Sequence, residues 1–273
     1  MNIQSRFQRG LSLVELMVAL AIGMVLIAGF LQIFLSVRST YSTNEAASRT
    51  QENGRFALEF LSEHARMAGY RDPKHLDRPL PIMPPTGNGC AFSSGTKSAF
   101  CTEERGIVSS PDNGDETGDR IAFTYQPPLD SSGKRLDCAG NEVTDADGVI
   151  INTFTTRATE SSSGLACRSI YDDGTTLSSG YTELVDGIDA VQFQYGLMSP
   201  TGFIHQYVTA DNVPNWSDVG ALRIAVLANS ISTVTPPPPD KDYYLLDAGP
   251  YNFSDGKIRQ VFTTTVYLRN SIQ

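Results

Sequence analysis

The strongest pattern in the chain is an apolar run near its N-terminus. Residues 16–31 carry no charged or polar side chain, and with Gln32 as the one polar interruption the run continues to Leu35. About 20 apolar residues are enough to cross a bilayer as a helix. Arg6 and Arg9 precede the run without any acid. Because basic residues beside a span stay in the cytoplasm, we expect the rest of the chain on the other side of the membrane.

The pattern stays helical after the span but becomes amphipathic over residues 36–69. Apolar side chains recur every three or four residues, which predicts a helix face that packs on the chain's own domain. The members of this stripe are Phe56, Ala57, Phe60, Leu61, Ala65, Met67 and Ala68. Gly54 weakens the helix by about 1 kcal/mol, and Gly69 marks its end. We therefore predict one helix over about residues 11–68, with residues 11–35 as its membrane half.

Alternation of apolar and polar residues, which is typical of strands, fills the second half of the chain. The candidate strands are residues 119–126, 149–156, 165–171, 187–196, 203–209, 222–229 and 262–268. Consecutive strands joined by short turns predict an antiparallel sheet with one covered face. The amphipathic part of the helix is the natural cover for that face.

The segment between helix and sheet, residues 70–118, is rich in proline, glycine, serine and aspartate, which predicts irregular structure. All four cysteines follow the membrane span, so we expect them on the oxidising side of the membrane. An even number of cysteines there suggests disulfides. Four cysteines allow three pairings. We favour Cys90 with Cys101 and Cys138 with Cys167, because each pair closes a local loop.

The residues that open the apolar run form a short signal, Gly10-Leu-Ser-Leu-Val-Glu15. A carboxylate in a lipid-facing helix costs roughly 3 kcal/mol at mid-membrane and suggests a function and a partner. The glycine, the acid five residues later and the apolar helix resemble the class III signal of type IV pilins and type II secretion pseudopilins. The resemblance implies that a prepilin peptidase cuts between Gly10 and Leu11 and methylates the amine of Leu11. That family usually has Phe at the position of Leu11.

The second half of the chain resembles the PilW type of minor pilin. The segments that carry the resemblance are residues 137–141, 185–196, 219–230 and 259–270. The resemblance implies an α+β, pilin-like fold, in which a long N-terminal helix packs on an antiparallel sheet domain. The expected organisation is a leader (1–10), a membrane half-helix (11–35), an amphipathic half-helix (36–69), an irregular disulfide loop region (70–118) and a sheet domain (119–273).

A structural subunit, and not an enzyme, is what this resemblance implies. The protein would cross the inner membrane once, with its C-terminal domain in the periplasm, and would then enter the pilus at the cell surface. It would take part in assembly and priming of the filament, at or near the tip, and so support motility, adhesion or DNA uptake. Glu15 would neutralise the terminal amine of a neighbouring subunit, because it lies too far along the axis to pair well with its own amine. The implied partners are prepilin peptidase, other minor pilins, the major pilin and, before assembly, inner-membrane lipid.

The net charge and the cysteine spacing argue against two further kinds of site. The formal net charge is −9, without a basic block, which argues against a nucleic-acid surface. The cysteines form no Cys-x-x-Cys pair, and no histidine lies near Cys138 or Cys167 in the sequence, which argues against a metal site. We therefore expect no cofactor, no metal and no direct nucleic-acid partner.

Catalytic and calcium-binding motifs are also missing from the sequence. It contains no His-Glu-x-x-His, Gly-x-Ser-x-Gly or P-loop pattern, and its histidines are His64, His75 and His205. The acidic stretches at 112–119 and 145–148 lack EF-hand spacing, and we interpret them as solvated turns.

Three alternative functions stay open at this point. A J-type minor pseudopilin of type II secretion would share the leader, although the chain length and the cysteine-bearing insertions favour the pilus. A pilus-tip adhesin would bind a surface ligand through the 70–118 loop and its disulfide. A membrane-anchored periplasmic enzyme is disfavoured, since a plain anchor needs neither Gly10 nor Glu15.

Overall fold

The computed structural model describes residues 12–71, 100–103, 116–144, 148–158, 163–171, 177 and 180–271. These residues form one long helix, α1 (Leu13–Met67), and a set of strands. The strands are β1 (Phe100–Glu103), β2 (Glu116–Tyr125), β3 (Ile150–Ala158), β4 (Ser163–Tyr171), β5 (Thr182–Asp186), β6 (Ile188–Met198), β7 (Ile204–Val208), β8 (Val219–Asn229), β9 (Tyr243–Leu245), β10 (Ala248–Tyr251) and β11 (Arg259–Tyr267). Contacts divide the chain into one unit that ends at Glu45 and a second that begins at Ala46.

The first unit is helical from Leu13 onward, and its large apolar side chains are exposed through Val37. Of the helices in the described ranges, α1 is the one long and apolar enough to cross a bilayer. An apolar helix surface of this length has no stable place in water, so a bilayer or other apolar helices must cover it.

The second unit begins with residues 46–67 of α1, which we call the half-helix. Its inner face is formed by Leu61 and by small residues at spacings of three and four, namely Ala46, Thr50, Gly54, Ala57 and Ala65. The predicted inward position of Phe56 is wrong, because its side chain is 52% exposed. Successive helical residues are rotated by about 100°, so the burial of Ala57 turns Phe56 away from the sheet.

The C-terminal end of α1 is attached to two parts of the domain. Gly69 has a φ of 77°, the left-handed conformation that commonly ends helices, and its N–H donates to the carbonyl of Thr124 at 2.9 Å. The side-chain amide of Asn270 donates to the carbonyls of Arg66 and Ala68, each at 3.2 Å. The end of the helix is therefore bonded to β2 through the N–H of Gly69, and its last carbonyls are bonded to Asn270.

The strands form one main sheet with the order β11-β8-β6-β2-β3-β4-β5, in which β1 also pairs with β2 and β7 with β6. Every strand pair in it is antiparallel except β2 with β6, which is parallel through Gly118 and Val191. Gly118 has a φ of 79°, and a Cβ there would lie 2.3 Å from the carbonyl oxygen of Val191. The carboxylate of Asp119 accepts a 3.0 Å hydrogen bond from the Phe193 N–H and strengthens this junction.

Both faces of this sheet are covered, so the prediction of one covered face is wrong. The half-helix contributes Leu61 and Ala65 to the main buried cluster, together with Phe123, Phe154 and Phe193. A second buried cluster on other strand positions contains Ala190, Ala225, Leu227, Leu245 and Tyr251. The β9–β10 hairpin supplies the last two of these. Its residues read as a loop in the sequence because Asp247, Gly249 and Pro250 interrupt the alternation.

The α+β fold class is confirmed, with a long apolar N-terminal helix and a mostly antiparallel sheet. Strand β1 and the start of β2 lie within the 70–118 segment that we expected to be irregular. The short edge strand β5 was also not predicted, since Glu183 and Asp186 weaken its apolar pattern.

Candidate functional site

The start of α1 brings the acidic residue of the leader motif to a defined position. The N–H of Leu16 donates to the carbonyl of Ser12 at 3.1 Å, which makes Ser12 the N-cap and Glu15 the third helical residue. A carboxylate oxygen of Glu15 accepts a 3.1 Å hydrogen bond from the N–H of Ser12. This contact is the acidic half of a capping box, and the negative charge at a helix N-terminus is also favoured by the helix dipole.

The surroundings of Glu15 are apolar. Val14, Val18, Ala19 and Ile22 form the helix surface beside its side chain. Glu15 is the only charged residue between Leu13 and Leu35 in the sequence. In a bilayer this arrangement leaves one carboxylate among hydrocarbon side chains, where the pairing of its charge decides its cost.

The C-terminal part of the half-helix contains a histidine that is buried against the sheet. Nδ1 of His64 lies 2.5 Å from the hydroxyl oxygen of Tyr125, and the His64 ring packs 4.8 Å from the ring of Phe154. Burial lowers the pKa of His64 to about 4, although the charge of Asp137 acts to raise it. Burial also raises the pKa of the Tyr125 hydroxyl. A neutral imidazole therefore accepts the hydroxyl proton of Tyr125 at neutral pH.

The segment Asp137-Cys-Ala-Gly-Asn141 folds into a tight loop that presents Cys138 to the sheet. The carboxylate of Asp137 accepts hydrogen bonds from the N–H groups of Ala139 and Asn141 at 2.8 and 2.7 Å. Gly140 has a φ of 82°, which the turn requires. Cys138 forms a disulfide with Cys167 on β4, the pairing favoured from the sequence.

An ionic group joins four strand ends, and we call it the corner cluster: Ser163, Asp189, Asn229 and Arg259, which are buried, and Asp255, which is more exposed. Nε of Arg259 donates to Asp189 at 2.6 Å, and its two terminal nitrogens donate to the two oxygens of Asp255, each at 2.6 Å. The second oxygen of Asp189 accepts from Ser163 at 2.6 Å and from Asn229 at 2.7 Å.

The charged state of Arg259 is maintained by its carboxylate partners, and its guanidinium also packs on an aromatic ring. Burial alone would lower the pKa of Arg259, but the hydrogen bonds that it donates to the carboxylates and their negative charges raise it, so the guanidinium stays charged. Burial acts to raise the pKa of Asp255, and the hydrogen bonds from Arg259 outweigh this effect and lower it. The guanidinium also lies 3.6 Å above the centre of the Phe253 ring.

The corner cluster explains residues of the PilW-like segments that sequence reasoning left without a role. Asp189, Asn229 and Arg259 each come from a different one of these segments, on β6, β8 and β11. Nothing in the spacing of these residues predicts that they meet, because the strand order places β8 between β6 and β11. Their role is to fix the ends of these strands against one another.

Several predicted features fall outside the residues that the structure describes. These are the cleavage site at Gly10 and Leu11, Cys90, His75, and the acidic stretches at 112–115 and 145–147. The Cys90–Cys101 pairing and the adhesin alternative therefore stay predictions. In the part of the chain that the structure does describe, no group of three or more His, Cys, Asp or Glu side chains is arranged to hold a metal. His205 lies on β7 and is exposed.

Comparison with known proteins gives matches at both ends of the chain. Residues 152–270 match the family PilW, described as "Type IV Pilus-assembly protein W", and residues 5–31 match the "Prokaryotic N-terminal methylation motif". No curated protein matches the chain. Among solved structures, the type IV-like pilin TTHA1219 from Thermus thermophilus is 12% identical, with 81% of this chain and 97% of that chain covered and a TM-score of 0.42.

Proposed function

We propose, from the premise that this chain is a PilW-type minor pilin and a structural subunit of type IV pilus assembly, that it acts in a complex of minor pilins that primes the filament at its tip. PilW proteins and pilins are structural families, and their leader motif implies processing by prepilin peptidase and contact with other pilus components. The leader and the apolar helix indicate anchoring in the inner membrane with a C-terminal domain. We place that domain in the periplasm before assembly, and we propose no enzymatic activity.

Processing creates the group that Glu15 would recognise. Cleavage between Gly10 and Leu11, followed by N-methylation of Leu11, leaves a cationic amine at the start of the helix. The observation that carries the proposal is the position of Glu15, a single acid on an exposed apolar helix surface. A neighbouring subunit shifted along the filament axis brings its amine to this acid.

The energetic argument for that pairing is the cost of leaving either charge alone. Removal of one partner from a buried ion pair typically costs about 3–5 kcal/mol. In the single subunit the Glu15 carboxylate accepts from the N–H of Ser12, a neutral donor. Exchange of this neutral donor for a cationic amine pairs two ionised groups, so that both charges are neutralised. Glu15 would thereby set the register of neighbouring helices.

The exposed side of the half-helix would supply a second contact. Phe56 is surrounded on this surface by Glu52, Arg55 and Glu59. An exposed aromatic side chain within a rim of charges has the composition of a hot spot in a protein interface. We propose that Phe56 packs against the helix of an adjacent pilin, while the sheet side of the half-helix stays on its own domain.

The test replaces Glu15 by alanine or valine in cells that assemble pili. We expect the protein to remain processed and in the membrane but to enter sheared filaments at less than a tenth of the wild-type amount. Asp211→Ala removes one exposed acid from the domain and is the matched control, which should enter normally. Normal entry of the Glu15 variants into filaments would contradict the proposed role of Glu15.

The location at the tip is tested separately by the number and position of the subunits. Immunogold labelling of purified filaments should place the protein at one end only. Labelling along the whole shaft would contradict the tip assignment, while the assembly role of Glu15 would be judged by the substitution above.

A further inference from the structure

A chain of buried polar groups connects the half-helix to the Cys138–Cys167 disulfide across three strands. We call it the relay, and its members in order are His64, Tyr125, Asn152, Ser169 and Cys138. The amide nitrogen of Asn152 donates to the Tyr125 hydroxyl at 2.6 Å, and the Ser169 hydroxyl donates to the amide oxygen of Asn152 at 2.5 Å. The Cys138 sulfur lies 3.1 Å from the Ser169 hydroxyl, and the Cys138 N–H lies 3.4 Å from the amide oxygen of Asn152.

Strand register places these groups in line. Asn152 on β3 lies opposite Ser169 on β4, and two residues further along the strands Phe154 lies opposite Cys167. Phe154 is the residue whose ring packs on His64. The disulfide and the helix are therefore linked by a polar route through Asn152 and by an apolar route through Phe154.

Each member of the relay depends on the next one, because all five are buried. Tyr125, Asn152 and Ser169 are at most 1% exposed, and His64 and Cys138 are each 7% exposed. Asn152 uses both ends of its amide, so only one orientation satisfies both neighbours. The hydroxyl of Tyr125 accepts from Asn152 and has His64 as the acceptor for its own proton. A buried polar group that loses its partner costs about 1–3 kcal/mol, and such networks act cooperatively.

The disulfide fixes the Cys138 end of the relay. Two thiols in place of the bond must separate to van der Waals distance, which moves the 137–141 loop away from β4 or shifts β4 itself. Ser169 and Asn152 then lose their contacts with Cys138, so the Cys138 N–H no longer helps the Ser169 hydroxyl to hold the amide oxygen of Asn152 in place. The effect continues to Tyr125 and to the imidazole of His64.

We propose that the Cys138–Cys167 disulfide keeps residues 57–67 of the half-helix packed on the sheet through the relay, so that oxidation of these cysteines completes the helix–sheet interface. The two thiols lose two electrons and two protons as the sulfur–sulfur bond forms, and an external disulfide of the thiol–disulfide oxidase class is reduced to its dithiol. The inference uses the periplasmic location of the domain and is independent of the role of Glu15 in filaments.

The experiment is hydrogen–deuterium exchange of the full-length protein in detergent micelles. Cys138→Ser/Cys167→Ser is compared with wild type, and Cys90→Ser/Cys101→Ser serves as the matched control. We expect amide exchange in residues 57–67 to become at least tenfold faster in the first variant and to stay unchanged in the control. Tyr125→Phe in the oxidised protein should reproduce part of this increase. When Tyr125→Phe is combined with the first variant, the increase in exchange should be smaller than the sum of the two separate increases.

A second measurement uses the Cys90→Ser/Cys101→Ser protein, in which Cys138 and Cys167 are the only cysteines. Reduction by a phosphine should make amide exchange in residues 57–67 faster, and reoxidation by glutathione disulfide should return it to its original slow rate. The amides of β8 should stay protected throughout. Faster exchange confined to residues 137–141 would overturn the proposal, because the disulfide would then support its own loop only. Loss of protection in β8 as well would also overturn it, since the disulfide would then hold the whole domain.

Discussion

Gly54 on the half-helix lies directly against the ring of Phe262 on β11. A Cβ atom at position 54 would be 2.3 Å from Cδ2 of Phe262 and 2.9 Å from its Cγ. The sequence alone presented Gly54 as a weak point of the helix, worth about 1 kcal/mol. The structure shows that the missing side chain is what lets the helix approach the edge strand.

Gly54→Ala should therefore destabilise the protein, in spite of the better helix propensity of alanine. Overpacking of this kind typically costs about 1–3 kcal/mol, and the free energy of unfolding from urea titration measures it. The double variant Gly54→Ala/Phe262→Leu should recover part of the loss, because it removes the ring that the new methyl group meets. A stabilised Gly54→Ala protein would contradict the close approach.

Tyr125→Phe should destabilise the domain by about 1–3 kcal/mol, because it leaves the buried Nδ1 of His64 and the amide of Asn152 without a partner. Tyr244→Phe is the control, since the Tyr244 side chain is 61% exposed. Thermal or chemical unfolding of both variants measures the difference. Equal stability of the two variants would show that the hydroxyl of Tyr125 contributes nothing.

His64 should make stability depend on pH between its ordinary pKa of 6.5 and its lowered pKa of about 4. In this range the unfolded chain binds a proton that the folded protein excludes, so stability is present above pH 6.5 and is lost as the pH falls toward 4. The total effect is about 3 kcal/mol. His64→Gln should lose this component, so its plot of unfolding free energy against pH should be less steep by up to about 1.4 kcal/mol per pH unit. Parallel plots would contradict a buried neutral His64.

The corner cluster should be far more sensitive than a surface ion pair. Asp189→Ala leaves the Arg259 side chain, which is 3% exposed, without one of its two carboxylates, and we expect a loss of about 3–5 kcal/mol. Lys134 and Glu142 form a pair of the same 2.6 Å length, but their side chains are 52% and 46% exposed. Glu142→Ala should therefore cost less than about 1 kcal/mol. Similar unfolding free energies for the two variants would refute the structural role of the cluster.

The sequence alone predicted the long helix and most of the sheet, because both have strong periodic signals. The apolar run up to Leu35 and the alternation around Val191 and Phe193 depend only on local residue order. The position of Phe56 was mispredicted because an apolar stripe was assigned from residue type, whereas small residues such as Thr50 and Gly54 form the real contact face.

The tertiary features of the candidate site could not be derived in this way. Asp189 and Arg259 are 70 residues apart, and they meet only through the strand order of the sheet. Likewise, Asn152 was one polar residue in a candidate strand, and only the register between β3 and β4 places it beside Ser169. The β9–β10 hairpin was not predicted from the sequence, because Pro250 and its neighbours have the composition of a loop.

The most direct test of the account is the intact mass and N-terminal sequence of the protein taken from membranes, with and without prepilin peptidase. We predict a chain that begins at N-methylated Leu11 when the peptidase is present, and the uncut chain from Met1 when it is absent. A chain that keeps Met1 in the presence of the peptidase, or one cut beyond Leu35, would contradict the pilin pathway and would reduce the apolar run to an ordinary anchor or signal.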